Sequence, residues 1–504
     1  MIGNLSPHLP FDDAETTESY LRRLSQFHTG RCRRALLADL DINLRDFSSG
    51  TEDALSNLAA ATGVAARKLE EGMFLFRPRY REFRGEVLSI EFLRPEGSVI
   101  CTECIEEDAK EGKSWLMKER ILWRLRPMQT CPIHDQRLVS PTSAGTGMEI
   151  FDMFALVGES CQLEPELQVS TALEMSISHR VSGNHTYAGS WLDSQTMEQG
   201  VKACEMIGAT LTHGLKFNTK ALSPEEWRQA GETGFSIARN GAEAVNDAIS
   251  QIAAMSTTTA GQAGPRAVYG RLYEWLAYNS PIPDPGPIRD LLRENILDTL
   301  VVEPDEVLLG KRVKARRLHS VYSLSIATRL HQKRLRKILV QAGMADHESW
   351  DLAAHRLVFP VEAAEQLCAD IVDSVSLHRL PEQIGCSRTQ AESLYREGVI
   401  RAVIEPDAAY GIGKLAFARR EIDAFLKQIE ALPEAQAGLP DLIDISSATK
   451  RTGCSTGDLM ARTLSGGLAA VREGRRVAVS SIRFILTDLE PLRMRLPRSV
   501  EQTA

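Results

Sequence analysis

Two short motifs constrain this 504-residue chain more than anything else in it: Cys-Thr-Glu-Cys at 101–104 and Cys-Pro-Ile-His at 131–134. Each sets two soft or borderline donors on a tight turn, and 26 residues separate the pairs. A structural zinc ion takes four such ligands in a tetrahedron, typically from two paired turns. Cys101, Cys104, Cys131 and His134 supply all four, with Pro132 stiffening the second turn. No position is left for an activated water, so the pattern predicts structural Zn2+ rather than catalytic metal. The competing reading is two unrelated turns that happen to carry cysteine; the paired spacing argues against it. The spacer from Ile105 to Leu125 reads as helix, with apolar residues at Trp115, Leu116, Ile121, Leu122 and Leu125.

The other cysteines form no framework. Nine in the chain is sparse and odd, which argues against disulfides. Cys161 and Cys204 read as buried small apolar residues. A hydrophobic content of 43% supports compact cores in several domains. No run approaches the ~18 apolar residues of a membrane span, and the N-terminus lacks the basic and apolar segments of a secretion signal. The expectation is a cytoplasmic protein without a membrane partner.

The net charge of -8 does not by itself point to nucleic acid. Local charge is uneven, however, and local fields steer binding. Ten cations and no acid lie between Lys311 and Lys337, among them Lys314, Arg316, Arg317, Lys333, Arg334, Arg336 and Lys337. A second run holds Arg22, Arg23, Arg31, Arg33 and Arg34. In a third, Arg77, Arg79, Arg81 and Arg84 interleave with Phe76, Tyr80 and Phe83. A solvated face explains any one run; three runs beside helical patterns favour a polyanionic partner.

Upstream of the cysteines, "LSNLAAATGVAARKLEEG" has the spacing of a helix-turn-helix. Leu55, Leu58, Ala59, Gly63, Val64 and Leu69 occupy its core and turn positions, and the second helix would carry Arg67 and Lys68. An ordinary helical hairpin is the alternative.

"ESYLRRLSQF" from Glu18, this helix-turn-helix, Cys-x-x-Cys, Glu107-Asp108, Trp123, Cys-Pro-x-His and Leu138 together resemble the TniQ/TnsD family. These are target-selection proteins of transposons related to the Tn-seven and mercury-resistance elements. The resemblance covers about residues 10 to 140 and, more loosely, 265 to 345. Thr102 stands where the family commonly has Pro, and where many members carry a further Cys-Pro-x-Cys, only Cys161 lies downstream. The resemblance implies a DNA-targeting adaptor, not an enzyme. Such proteins mark a site on double-stranded DNA, or dock on a guide-RNA (CRISPR) complex. They then recruit an AAA+ ATPase regulator, which brings the transposase. The residues themselves show no His-Glu-x-x-His. "YGIGKLAF" lacks the first Gly of a phosphate loop and has Leu415 in place of its Ser or Thr; it reads as a turn between strands.

The middle of the chain reads as amphipathic helices packed on one another, broken at Ser256–Pro265 and at Asn279–Pro287. The basic segment after Leu309 fits either one helix or two; two helices with a tight turn around His331 and Gln332 are favoured. The last third holds a repeat: Gly385-Cys-Ser matches Gly453-Cys-Ser, 68 residues on. Leu377, Leu380, Ile384, Gly385, Cys386, Ala391 and Leu394 fit a helix-turn-helix. The segments "VIRAVI" and "LAFARREIDAFL", and "LAAVREGRRVAVSSIRFIL" in the second copy, read as two-stranded wings, and Cys386 and Cys454 as core. Arg388, Thr389 and Gln390 stand early in the first recognition helix and Thr456 and Asp458 in the second, where groove readers touch base edges. Arg472, Arg475 and Arg476 of the wing suit phosphates, while Glu382, Glu392 and Glu397 suit protein docking.

The expected architecture is mainly α and multi-domain. A helical, helix-turn-helix region spans 1–90, a Cys-Cys-Cys-His zinc finger 91–145 and a helical middle domain 146–265. A second TniQ-like basic helix-turn-helix region spans 266–370, and winged copies 371–432 and 441–492. The function expected is target-site selection in DNA transposition. The alternatives are a guide-complex adaptor and a stand-alone zinc-containing transcriptional regulator.

Overall fold

The computed structural model describes residues 5–109, 113–140, 166–183, 190–258, 263–278, 284–345, 357–406, 414–436 and 441–492. It is mainly helical, with a few small sheets. It divides into two compact units, one built largely from the chain up to Val313 and the other from Lys314 onward. Cys161 and the start of "YGIGKLAF" lie outside the described residues.

The first unit opens with five helices: α1 (Thr17–Thr29), α2 (Arg33–Asp39), α3 (Leu44–Ser49), α4 (Glu52–Thr62) and α5 (Ala66–Glu71). Three of the starts are set locally by side chains. Thr16, Asn43 and Thr51 cap α1, α3 and α4 with side-chain oxygens that accept backbone N–H bonds. Tyr20, Leu21, Leu24, Leu36, Phe47, Leu55, Leu58 and Leu69 meet in one core. The segment from Leu55 to Leu69 folds as two helices, α4 and α5, with Gly63 left-handed at the turn between them (φ 72°). A three-stranded antiparallel meander follows: β1 (Leu75–Phe76), β2 (Arg81–Phe83) and β3 (Glu86–Leu88).

The spacer between the cysteine pairs is not one helix. α6 (Thr102–Asp108) ends early, and two 3-10 turns follow at Ser114–Leu116 and Ile121–Arg124. Tertiary partners override the helical pattern. Trp115 packs into the helical core and Trp123 into the core beside the cysteines. The Ile121 N–H donates to the Ala14 carbonyl at 2.8 Å, so the backbone there pairs with a distant strand-like segment.

The middle helices include Met197–His213, Pro224–Ala238 and Ala242–Ala254. The first two cross so closely that a Cβ on Gly208 would lie 1.8 Å from the Ala230 carbonyl oxygen. Cys204 is fully buried there.

The second unit repeats one plan three times: strand, helix, turn, helix, strand. The copies begin at Leu318–Ser320, Val375–Ser376 and Leu442–Asp444. Their turns hold a left-handed residue, Arg329, Gly385 or Gly453 (φ 57°, 64° and 77°). Two residues on comes the cap of the second helix, His331, Ser387 or Ser455, and four beyond that a fully buried Leu335, Ala391 or Leu459. The final strands carry buried Phe359, Phe417 and Phe484, with buried Ala364, Ile422 and Leu489 five residues later. In the third copy Leu442–Asp444 pairs with Ile482–Ile485, which pairs with Val471–Arg472. In the second, Val375–Ser376 pairs with Ala416–Phe417, and Ile404 bridges to Ala416. Both have the strand order of a winged helix. In the first, Leu318–Ser320 pairs with Val358–Pro360.

Two sequence expectations change here. Basic residues 321–341 form two helices, Val321–Thr328 and Gln332–Gln341, but the turn centres on Arg329. "ARREIDAFL" is not a wing strand: Arg419–Glu430 is a helix, because Ile422, Phe425 and Ile429 recur at helical spacing and are buried together. The second and third copies share one core, running from Val375 to Leu489.

Candidate metal centre and nucleic-acid interface

Cys101 starts α6 and Cys104 lies in its first turn. Cys131 ends β4 (Thr130–Cys131), which pairs with β5 (Gln136–Arg137), and His134 sits in the turn between them. Reciprocal backbone bonds of 2.9 Å between Ile100 and Val139 hold the two halves together. The donor atoms therefore converge. Cys104 Sγ is 3.6 Å from Cys131 Sγ. His134 Nδ1 is 3.3 Å from Cys104 Sγ, 3.5 Å from Cys101 Sγ and 3.8 Å from Cys131 Sγ. A zinc tetrahedron with bonds of ~2.3 Å to sulfur and ~2.05 Å to nitrogen has edges of about 3.8 and about 3.6 Å. The cluster fits a metal ion and is compatible with zinc.

The surroundings suit that use. All three cysteines are buried against Ile105, Met117, Trp123 and Leu138. The Cys101 and Cys104 thiols donating to Cys131 hold its sulfur far below the usual thiol range, at about 2. Cys101, then Cys131 and burial, push Cys104 far above it. The other ring nitrogen of His134, Nε2, lies 3.2 Å from Glu107. A carboxylate there fixes the ring and its tautomer.

The basic runs part company. Arg22 pairs with Glu96, and so does Arg33, at 3.0 Å. Arg23 pairs with Glu15 at 2.5 Å, both side chains sealed from water. Arg77 pairs with Glu82 at 3.0 Å, Arg81 lies over the Phe76 ring and Arg84 over Phe83. The second and third runs thus serve largely to hold the first unit together. On α5, Arg67 pairs with Glu71 and Lys68 with Asp13, each at 2.9 Å and each exposed.

In the second unit, Lys314 and Arg317 are exposed, and Arg316 pairs with Glu303. Lys333 and Arg334 are exposed and Arg336 and Lys337 half-buried, all on helix Gln332–Gln341. Arg388 is exposed but pairs with Glu392 at 3.0 Å. Thr389 is exposed; Gln390 closes a capping box on Ser387 and reaches Ser446 at 3.3 Å. Arg472 is mostly buried and pairs with Glu434 at 2.7 Å. Arg475 and Arg476 are exposed. Thr456, expected to face a groove, is only 6% exposed. Its neighbour Gly457 packs on Ser393 and Glu397, a contact that no local spacing announces.

Fold and site together describe a mainly helical protein with a Cys3His cluster able to hold a metal ion. The TniQ family model matches residues 6–138, about a quarter of the chain, and this segment is similar to that family. No curated protein matches the chain. Among the described residues no helix is long and apolar enough to cross a membrane.

Proposed function

We propose that this protein selects target sites for DNA transposition. It is an adaptor that works in the cytoplasm with no chemistry of its own. It binds double-stranded target DNA and recruits an AAA+ ATPase regulator, and through it the transposase. A structural Zn2+ held by Cys101, Cys104, Cys131 and His134 staples the N-terminal scaffold. When bound, the ion supplies four fixed bonds and no open coordination site. The chain's own residues do the rest: α6 and the β4–β5 hairpin position the donors, and Glu107 orients His134.

The observation that carries this reading is the TniQ match over 6–138 enclosing the whole Cys3His cluster. The basic helix Gln332–Gln341 on a helix-turn-helix supports direct contact with a duplex rather than docking on a guide-RNA complex. The test is a footprint on target DNA with the purified protein, followed by capture of the ATPase on that DNA. Protection of a discrete duplex and ATPase retention are expected. Binding only to a guide-RNA complex would select the alternative, and no binding to either would overturn the proposal.

A further inference from the structure

The three tandem helix-turn-helix copies of the second unit are not equivalent. In each, the second helix is the one that would enter a major groove. In the second and third copies these helices, Arg388–Arg396 and Thr456–Leu464, pack on each other. The Gly457 N–H donates to Ser393 Oγ at 2.9 Å. Ser455 Oγ donates to Glu397 Oε1 at 3.4 Å, and Gln390 Nε2 to Ser446 Oγ at 3.3 Å. A Cβ on Gly457 would lie 2.5 Å from the Ser393 carbonyl oxygen. Helix Arg388–Arg396 therefore turns Ala391 and Leu394 to the core, Ser393 and Glu397 to its sibling, and Gln390 to helix Ile445–Thr452.

Size decides the consequence. A helix with side chains is about 10–12 Å across, and a packed neighbour stands about 8–10 Å away, axis to axis. The B-DNA major groove is about 12 Å wide. One helix fits; a side-by-side pair does not. Charge agrees. What stays exposed on the pair is largely self-neutralised, Arg388 by Glu392 and Arg462 by Asp458.

In the first copy the start of the second helix is open to solvent. Helix Gln332–Gln341 carries Lys333, Arg334, Arg336 and Lys337 and no acid, and its first turn, His331 to Arg334, is exposed. Its C-terminal half is anchored: Ile338 packs with Ile371 and Ile404, and Gln341 donates to the Glu405 carbonyl at 3.0 Å.

We propose that the first copy alone grips the duplex through the exposed start of helix Gln332–Gln341, while the second and third copies form a closed pair that braces it and leaves the groove untouched. This rests on the DNA-binding reading above. The test measures duplex affinity of the full chain against salt concentration, with amide exchange with and without duplex. Lys333→Ala with Arg334→Ala should cut the slope of log affinity against log salt by about 2, at ~0.9 per phosphate contact. Arg388→Ala with Thr389→Ala, and Arg475→Ala with Arg476→Ala, should leave affinity and slope unchanged. Duplex should slow exchange at 331–337 and not at 388–396 or 456–464. Wild-type binding with the loss falling at Arg388 or Arg475, or protection of the paired helices, would overturn the division while leaving DNA targeting intact. A wild-type chain that binds no duplex would overturn the DNA-binding reading itself, and this inference with it.

Discussion

Arg23 donates to Glu15 at 2.5 Å, and the two side chains are 1% and 0% exposed. The Arg23 guanidinium also donates to the Trp115 carbonyl at 3.0 Å, and the Glu15 carboxylate accepts from Ser19 Oγ at 2.8 Å. The pair therefore ties α1 to the segment before it and to the spacer between the cysteine pairs. Removing one partner of a buried pair leaves the other charge unsatisfied, which costs about 3–5 kcal/mol. Arg23→Ala should lower the stability of the first unit by about that amount, read as a drop in Tm or in denaturant midpoint. A loss within the roughly 0.5 kcal/mol of an ordinary surface substitution would show the pair to be dispensable.

The same carboxyl makes stability depend on pH. Burial outweighs the pull of Arg23 and pushes Glu15 up to about 7 from 4.5. The folded state then holds the proton more tightly than the unfolded chain does. The favourable contribution is complete below about 4.5 and is lost as pH rises through about 7. Glu15→Gln keeps the shape without the charge, so the change in stability between these pH values should be shallower than in the wild type. An identical pH profile by chemical denaturation would place the titration elsewhere.

Metal content is directly measurable. Elemental analysis of the pure protein should give one zinc per chain, and Cys104→Ser or His134→Ala should lose both the metal and the folded state of the N-terminal region. Full metal content and unchanged melting in either variant would remove that residue from the ligand set.

Glu107 lies 3.2 Å from His134 Nε2 and acts on the site only through that ring. Glu107→Gln should weaken zinc affinity by about 10- to 100-fold in a chelator competition while leaving circular dichroism of the loaded protein unchanged. Wild-type affinity in the variant would make the contact incidental.

Gly457 can be tested by size. Its backbone conformation is ordinary helix, so what a side chain there meets first is the Ser393 carbonyl and the Glu397 stem. Gly457→Val should cost about 1–3 kcal/mol by forcing the two helices apart, visible as earlier melting of the second unit. Unchanged melting would mean the helices are not closely packed.

Much of this protein is local in origin, and that part was legible in the order of its residues. Cys101, Cys104, Cys131 and His134 announce their site because each donor pair lies within four residues. Gly63, Gly385 and Gly453 announce their turns because a left-handed residue must follow the first helix. Two helices were expected in the first of the three tandem copies, but its likeness to the other two hid because Arg329 holds that conformation in place of Gly, and His331 rather than Ser caps the next helix. The helical spacing after Cys104 misled because Trp115 and Trp123 are drawn into different cores. Tertiary structure alone decided which cations are spent inside the protein and which remain for a partner. Arg22 and Arg334 look alike in a string of letters; Glu96, 74 residues away, pairs with the buried first, while the second is exposed among the described residues. Whether a charge is neutralised, or a helix is free to enter a groove, depends on distances between residues far apart in the chain. Those distances exist only once the chain has folded.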